Sequence, residues 1–131
     1  MADEALQVEL VAADRIVWSG EASYVLARTV DGEIGVLANH APTMSLMVEN
    51  AVRIDTTDGD TWVAAVDSGF LSVADNRVSI LSETAEMSHD IDLEKAKQEL
   101  EDAQSGDQDD PATERAVRRA EARVRAAELA S

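Results

Sequence analysis

The chain contains no cysteine. That excludes a disulfide scaffold and any thiolate metal site, and it fits a reducing compartment. Aromatic residues are nearly as scarce. Trp18, Tyr24, Trp62 and Phe70 are the whole set, so a core must be filled by Val, Ile, Leu, Met and Ala. Positive charge is also short: 11 Lys and Arg stand against 27 Asp and Glu, a net charge of -16. Phosphate neutralisation needs clustered bases, so nucleic acid is excluded as a partner, and an anionic lipid surface is disfavoured on the same ground. No apolar run approaches the roughly 20 residues of a membrane span. The opening MADEALQVELV lacks the basic region of a signal or transit peptide. The expectation is a soluble intracellular chain of one domain, or one domain with an appendage, at 131 residues.

What is present reads first as short strands. LQVELV alternates Leu6, Val8 and Leu10 with polar neighbours, the period-2 signature of a half-buried strand. Runs rich in β-branched residues follow at IVW, SYVLART, AVRIDT, TWVAAV, FLSVA and RVSILS. Turn signals separate them: Ser19-Gly20, Asp31-Gly32, Glu49-Asn50, Asp58-Gly59-Asp60, Ser68-Gly69 and Asp75-Asn76. RIDT-TDGD-TWVA and FLSV-ADN-RVSIL have the form of consecutive hairpins. In GEIGVLANHAPTMS, two glycines bracket an apolar run ahead of a loop with His40 and Pro42. The pattern predicts a flattened antiparallel β-sandwich or barrel.

The period changes near residue 90. Leu93, Ala96, Leu100 and Ala103 have helical spacing, with Asp90 or Asp92 placed as the cap. SGDQDD reads as a turn, and Pro111 after Asp110 has the form of a helix start. A second stripe runs through Val117, Ala120, Val124 and Ala127. The two helices form an antiparallel hairpin, giving a sandwich over residues 1–88 and a helical arm over 89–131. Alanine buries little area, so at ~25 cal/mol per Å² this seam is weak and the arm is expected to pack loosely, able to open. Charge is uneven along the chain: residues 1–90 carry 16 acids and 4 bases, residues 91–131 carry 11 and 7. From Ala112 onward five arginines, Arg115, Arg118, Arg119, Arg123 and Arg125, outnumber three glutamates.

Catalytic signatures are missing. His40 and His89 are far apart and do not form the cluster a cupin-like metal site needs. Asp107, Asp109 and Asp110 lack the glycine and glutamate of an EF-hand loop and read as a solvated turn. No nucleophile elbow, Walker loop or dinucleotide fingerprint occurs. The plain reading of His40 is a loop residue bonded to nearby backbone, and of Trp18 and Trp62, core side chains. No metal site and no catalytic residue is expected.

Three segments together carry a family resemblance. GEIGVLANHAP (32–42), SGFLSVADNRVSILSETAE (68–86) and IDLEKA (91–96) resemble, in order and spacing, the epsilon subunit of bacterial F-type ATP synthases. The resemblance implies a non-catalytic rotor subunit in the central stalk, peripheral at the cytoplasmic face of the cell membrane, coupling proton flow to ATP synthesis. Its implied partners are the gamma subunit, the c-ring and, through a raised arm that obstructs hydrolysis, the alpha/beta catalytic head. Glu33, Ile34, His40 and Pro42 match the segment that meets the c-ring and gamma. Arg115, Arg118, Arg119, Arg123 and Arg125 suit an acidic loop on the head, a contact that salt should weaken. Some relatives hold ATP between the helices through an Ile-Asp-x-x-Arg-Ala motif. Here Ile91, Asp92, Lys95, Arg119 and Arg123 match those positions, with Lys95 in place of the arginine and Asp102 where a base is expected. Lysine lacks the planar fork that grips phosphate, so no cofactor is expected beyond weak ATP binding. The alternative function is a nucleotide-sensing regulatory protein using that ATP pocket. Asn39 replaces the usual glycine before His-Ala-Pro, and asparagine tolerates positive φ.

Overall fold

The computed structural model describes residues 5–130. Met1–Glu4 of the acidic opening segment lie outside them. Nine strands come first: β1 (Leu6–Ala12), β2 (Arg15–Thr29), β3 (Gly32–Leu37), β4 (Thr43–Met47), β5 (Asn50–Thr56), β6 (Thr61–Val66), β7 (Gly69–Ala74), β8 (Arg77–Ser82) and β9 (Ala85–Met87). A 3-10 turn over Ser88–Asp90 leads to α1 (Leu93–Gln104) and α2 (Pro111–Ala130). The β-sandwich followed by a helical hairpin agrees with the sequence pattern.

Hydrogen-bonded order is β1-β8-β7-β4-β2-β5-β6-β9, with β3 beside β2 and β1 also paired to β2. The sheet thus folds back on itself through β2. One layer is β4-β7-β8-β1 with the first half of β2; the other is β3, the second half of β2, β5, β6 and β9. All pairings are antiparallel except β1 with β8. Leu6, Leu10, Val25, Val36, Val52, Ile54, Leu71 and Ile80 fill the space between the layers, each at most 1% exposed. Trp18, Trp62 and Ile34 pack against this core from its margin.

Three sequence expectations change. IVW and SYVLART are one strand of 15 residues, not two. Gly20 lies inside that strand because the ring of Trp18 covers its backbone; an added Cβ would stand 2.9 Å from the indole. GEIGVL, the apolar run ahead of the loop, is a strand of its own, forming a hairpin with β2 in which Glu33 faces Arg28 and Val36 faces Val25. The loop proper is residues 38–42. TMSLM and AEM are also strands, at five and three residues too short to stand out as β runs.

Asp92 caps α1 by accepting from the Lys95 N–H at 3.2 Å, and Asp110 accepts from the Ala112 N–H at 2.9 Å at the start of α2. Such caps satisfy first-turn donors that have no helical partner. The stripe of α2 has more breadth than its period suggested. Besides Ala120 and Ala127, Ala122 and Ala126 are buried, because α2 packs on β5 and β6 as well as on α1. Val63, Ala65, Ile91, Ala96, Ala126 and Ala127 form a second apolar cluster, separate from the core between the layers.

Candidate functional site

With the hairpin on one face of the sandwich, the outer face of β4-β7-β8-β1 stays bare. Strand alternation sends one set of side chains to that face, and the register lines them up. Ile16 is opposite Val11, Val11 opposite Leu81, Leu81 opposite Phe70 and Phe70 opposite Leu46. The result is an apolar row five strands wide, roughly 19 Å at ~4.8 Å per strand. Ile16, Leu46, Phe70 and Leu81 are 48–60% exposed, and Met44, beside Leu46, reaches 73%. The adjacent row is polar through Ser19, Glu9, Ser79 and Ser72 and ends on Met44, opposite Ser72. Isolated exposed apolar residues are ordinary, but a contiguous patch marks a docking surface. Sequence reasoning missed this row. Its signal was available in FLSVA and RVSILS, where Phe70-Leu71 and Ile80-Leu81 place bulky residues on both faces of a strand.

The residues expected at the membrane-facing contact separate into two groups. Glu33 and Ile34 lie near the β2–β3 turn, where Glu33 is exposed and Ile34 packs inward. Gly32 sits at φ +121, a conformation that disfavours side chains. Thr29 Oγ1 braces the turn, donating to the Gly32 carbonyl at 2.9 Å and accepting from the Asp31 N–H at 3.1 Å. His40 and Pro42 lie beyond the other end of β3, with roughly 13 Å of strand between Glu33 and Leu37. His40 Nδ1 stands 2.7 Å from the Ala41 carbonyl. A carbonyl only accepts, so Nδ1 carries the proton in that contact.

Three arginines of α2 face acids of the sandwich. Arg118 Nε donates to Glu49 Oε2 at 3.2 Å, on a carboxylate side chain only 7% exposed. Arg119 Nε lies 2.7 Å from Asp67 Oδ2, and that carboxylate is 2% exposed. The Asp67 contact is an ion pair without aligned hydrogen-bond geometry. Asp67 Oδ1 instead accepts from the Ser68 N–H at 2.8 Å. Arg123 joins three elements. It donates to Glu86 on β9 at 3.0 Å, and to Glu99 on α1. Its hydrogen bonds to Glu86, first, and to Glu99 hold its guanidinium above the usual range. Arg115 and Arg125 are exposed, and Arg125 borders an open cleft with Arg28, Arg118 and Glu128.

The positions matched to nucleotide binding are only partly assembled. Arg119 and Arg123 border a cavity of about 340 Å³ with Arg15, Asp67 and Glu86. Ile91 is buried, Asp92 caps α1 and Lys95 is exposed. None of those three lines that cavity. Asp102 accepts from Gln98 at 3.1 Å. Among the described residues no group of His, Asp or Glu is arranged to hold a metal, and no helix is long and apolar enough to cross a membrane.

Fold and surfaces together define a small docking subunit, a sandwich with one bare apolar face and an ionically attached arm on the other. Residues 5–88 match the family described as "ATP synthase, Delta/Epsilon chain, beta-sandwich domain". The ATP synthase epsilon chain of Streptomyces avermitilis is 52% identical over 122 residues, spanning 92% of this chain and 94% of that one. The ATP synthase epsilon chain of Rhodococcus opacus is 48% identical over 126 residues, 95% of this chain and 98% of that one. A chain from the structure of Euglena gracilis mitochondrial ATP synthase, OSCP/F1/c-ring, superposes with a TM-score of 0.76 at 26% identity, covering 87% of this chain and 76% of that one. The chain belongs to the epsilon-chain family of ATP synthase, whose members are subunits of the complex and not catalysts themselves.

Proposed function

We propose that this subunit is part of the rotor of a proton-translocating F-type ATP synthase, in the central stalk, and couples proton flow to ATP synthesis. The gamma subunit covers the bare face. The β2–β3 turn with Glu33 and Ile34 meets the polar loops of the c-ring, and the loop bearing His40 and Pro42 lies against the stalk. Raised toward the alpha/beta catalytic head, the arm restrains hydrolysis through Arg115, Arg118, Arg119, Arg123 and Arg125. The protein is peripheral, at the cytoplasmic face of the cell membrane, and its net charge of -16 keeps it off anionic lipid.

One observation carries this reading: the apolar row Ile16-Val11-Leu81-Phe70-Leu46, contiguous across five strands of one face. A subunit held permanently in a stalk needs an apolar contact core with a polar rim, and the row beside its serine neighbours has that composition. The alternative, a regulatory protein holding ATP between its helices, has weaker support because Arg123 is already paired with Glu86 and Glu99. Co-purification of gamma tests the docking face. Phe70→Asp and Leu81→Asp, both at exposed positions, are expected to leave the circular dichroism of the isolated chain unchanged and to abolish gamma retention. Full retention of gamma by both variants sinks the assignment of this face.

A further inference from the structure

The end of the sandwich that holds His40 contains a second feature with no assigned role. Among the described residues, three other than glycine have left-handed backbones: Asn39 (φ 68), Asp75 (φ 52) and Asn76 (φ 61). Asp75 and Asn76 form the two-residue turn of the β7–β8 hairpin, between the paired Ala74 and Arg77. Positive φ at both positions matches the twist that such hairpins prefer. Asn39 is the second residue of the loop between β3 and β4. The two sites meet, because Asn76 Oδ1 accepts from the Asn39 N–H at 2.6 Å. The Asn76 carbonyl meanwhile accepts from the Gln7 N–H at 2.8 Å, tying the turn to the start of β1. Apart from this bond, the loop is braced locally: His40 N–H to the Leu37 carbonyl at 3.2 Å, His40 Nδ1 on Ala41, and Thr43 Oγ1 to the Ala41 carbonyl at 3.1 Å.

We infer that Asn76 is the positioning residue for the loop that carries His40 and Pro42. It joins that loop to the β7–β8 turn and to β1, so the loop keeps its pose relative to the docking face. An asparagine chosen only for its turn would be interchangeable with glycine, which adopts positive φ at least as readily. An asparagine chosen also for its side-chain oxygen would not. Aspartate keeps an acceptor at the same atom, tolerates the left-handed region, and makes a charge-assisted bond to the same N–H.

The pair Asn76→Gly and Asn76→Asp therefore separates the two roles, read by hydrogen exchange in the full chain. In Asn76→Gly the Asn39 amide is expected to exchange about tenfold faster, the loss of one net hydrogen bond, while amides of β7 and β8 keep their protection. In Asn76→Asp the Asn39 amide stays near its original rate. Unchanged exchange at Asn39 in the glycine variant, or equal release in both variants, overturns the inference. For its consequence in the complex, the inference rests on the proposed stalk contact of this loop, and the assembled synthase tests that separately. Asn76→Gly is expected to lower ATP-driven proton pumping relative to hydrolysis, with Asn76→Asp restoring it. Release of Asn39 with pumping intact upholds the positioning role and overturns the stalk contact.

Discussion

Gly69 shows how much a single missing methyl group can decide. It begins β7 opposite Ser82, and a Cβ there would land on the backbone carbonyl of Leu81. Backbone cannot move aside as a side-chain tip can, so β7 and β8 would have to separate. Gly69→Ala is expected to destabilise the chain by roughly 2 kcal/mol or more, in the range of overpacked cores, seen as a lower urea midpoint with an unchanged slope. Gly35 is a milder case, since an added Cβ would meet the Tyr24 hydroxyl at 2.7 Å and that ring can swing. Residues of this kind are not legible in a sequence. Ser68-Gly69 reads as a turn signal, and the glycine is indeed beside a turn, yet its necessity comes from the backbone of Leu81 and Ser82 on the neighbouring strand. Asn76 is similar: its left-handed turn was legible in Asp75-Asn76, but its bond to Asn39 spans 37 residues.

At the level of elements, α2 is held by two unequal kinds of contact. Its alanines fill the seam over Val63 and Ala65 but offer little shape to set a register. Arg118, Arg119 and Arg123 supply the register, each on a different acid of the sandwich. Arg123→Gln removes the cation shared by Glu86 and Glu99 and leaves those two acids facing each other. It should weaken docking of the hairpin by about 1–2 kcal/mol, measured as faster amide exchange in both helices while β5 and β7 keep their protection. Raising salt should move the wild type in the same direction, since these pairs lie at a solvent-lined seam. Alkaline pH should not. Glu86 and Glu99 raise the Arg123 guanidinium above its ordinary range, so its contribution is fully present below that ordinary value and is lost only as pH rises past the raised one. Docking that loosens steadily between about pH 7 and 10 would contradict this account. The arginine cluster was legible in the sequence as an uneven charge distribution. Its partners were not, because Glu49, Asp67 and Glu86 are three acids among 27.

For the whole molecule, two separate apolar clusters imply two stabilities. The larger one lies between the layers and needs nothing from the helices, while the smaller one vanishes without them. A chain ending at Ser88 is therefore expected to keep its sheet signal in circular dichroism and to lose the helical one. In the assembled synthase, ATP hydrolysis should rise with this truncated chain while synthesis persists. Unchanged hydrolysis would confine the protein's role to the sandwich. The division into sheet and hairpin was readable because hydrophobic period is a local property, switching from two to about 3.6 near residue 90. The closure of the sheet was not, because a 15-residue strand interrupted by Gly20 looks like two strands until Trp18 is seen lying over it. That strand has a mechanical meaning. The first half of β2 belongs to the layer with the bare face, and its second half ends at the turn before Gly32. A sideways load on that turn travels along one covalent backbone into the opposite layer, crossing the bulge between Ala22 and Tyr24 but no loop. In the proposed role the sandwich is then a stiff coupling, like a key in a shaft, and elastic twist during rotation must be stored in its neighbours.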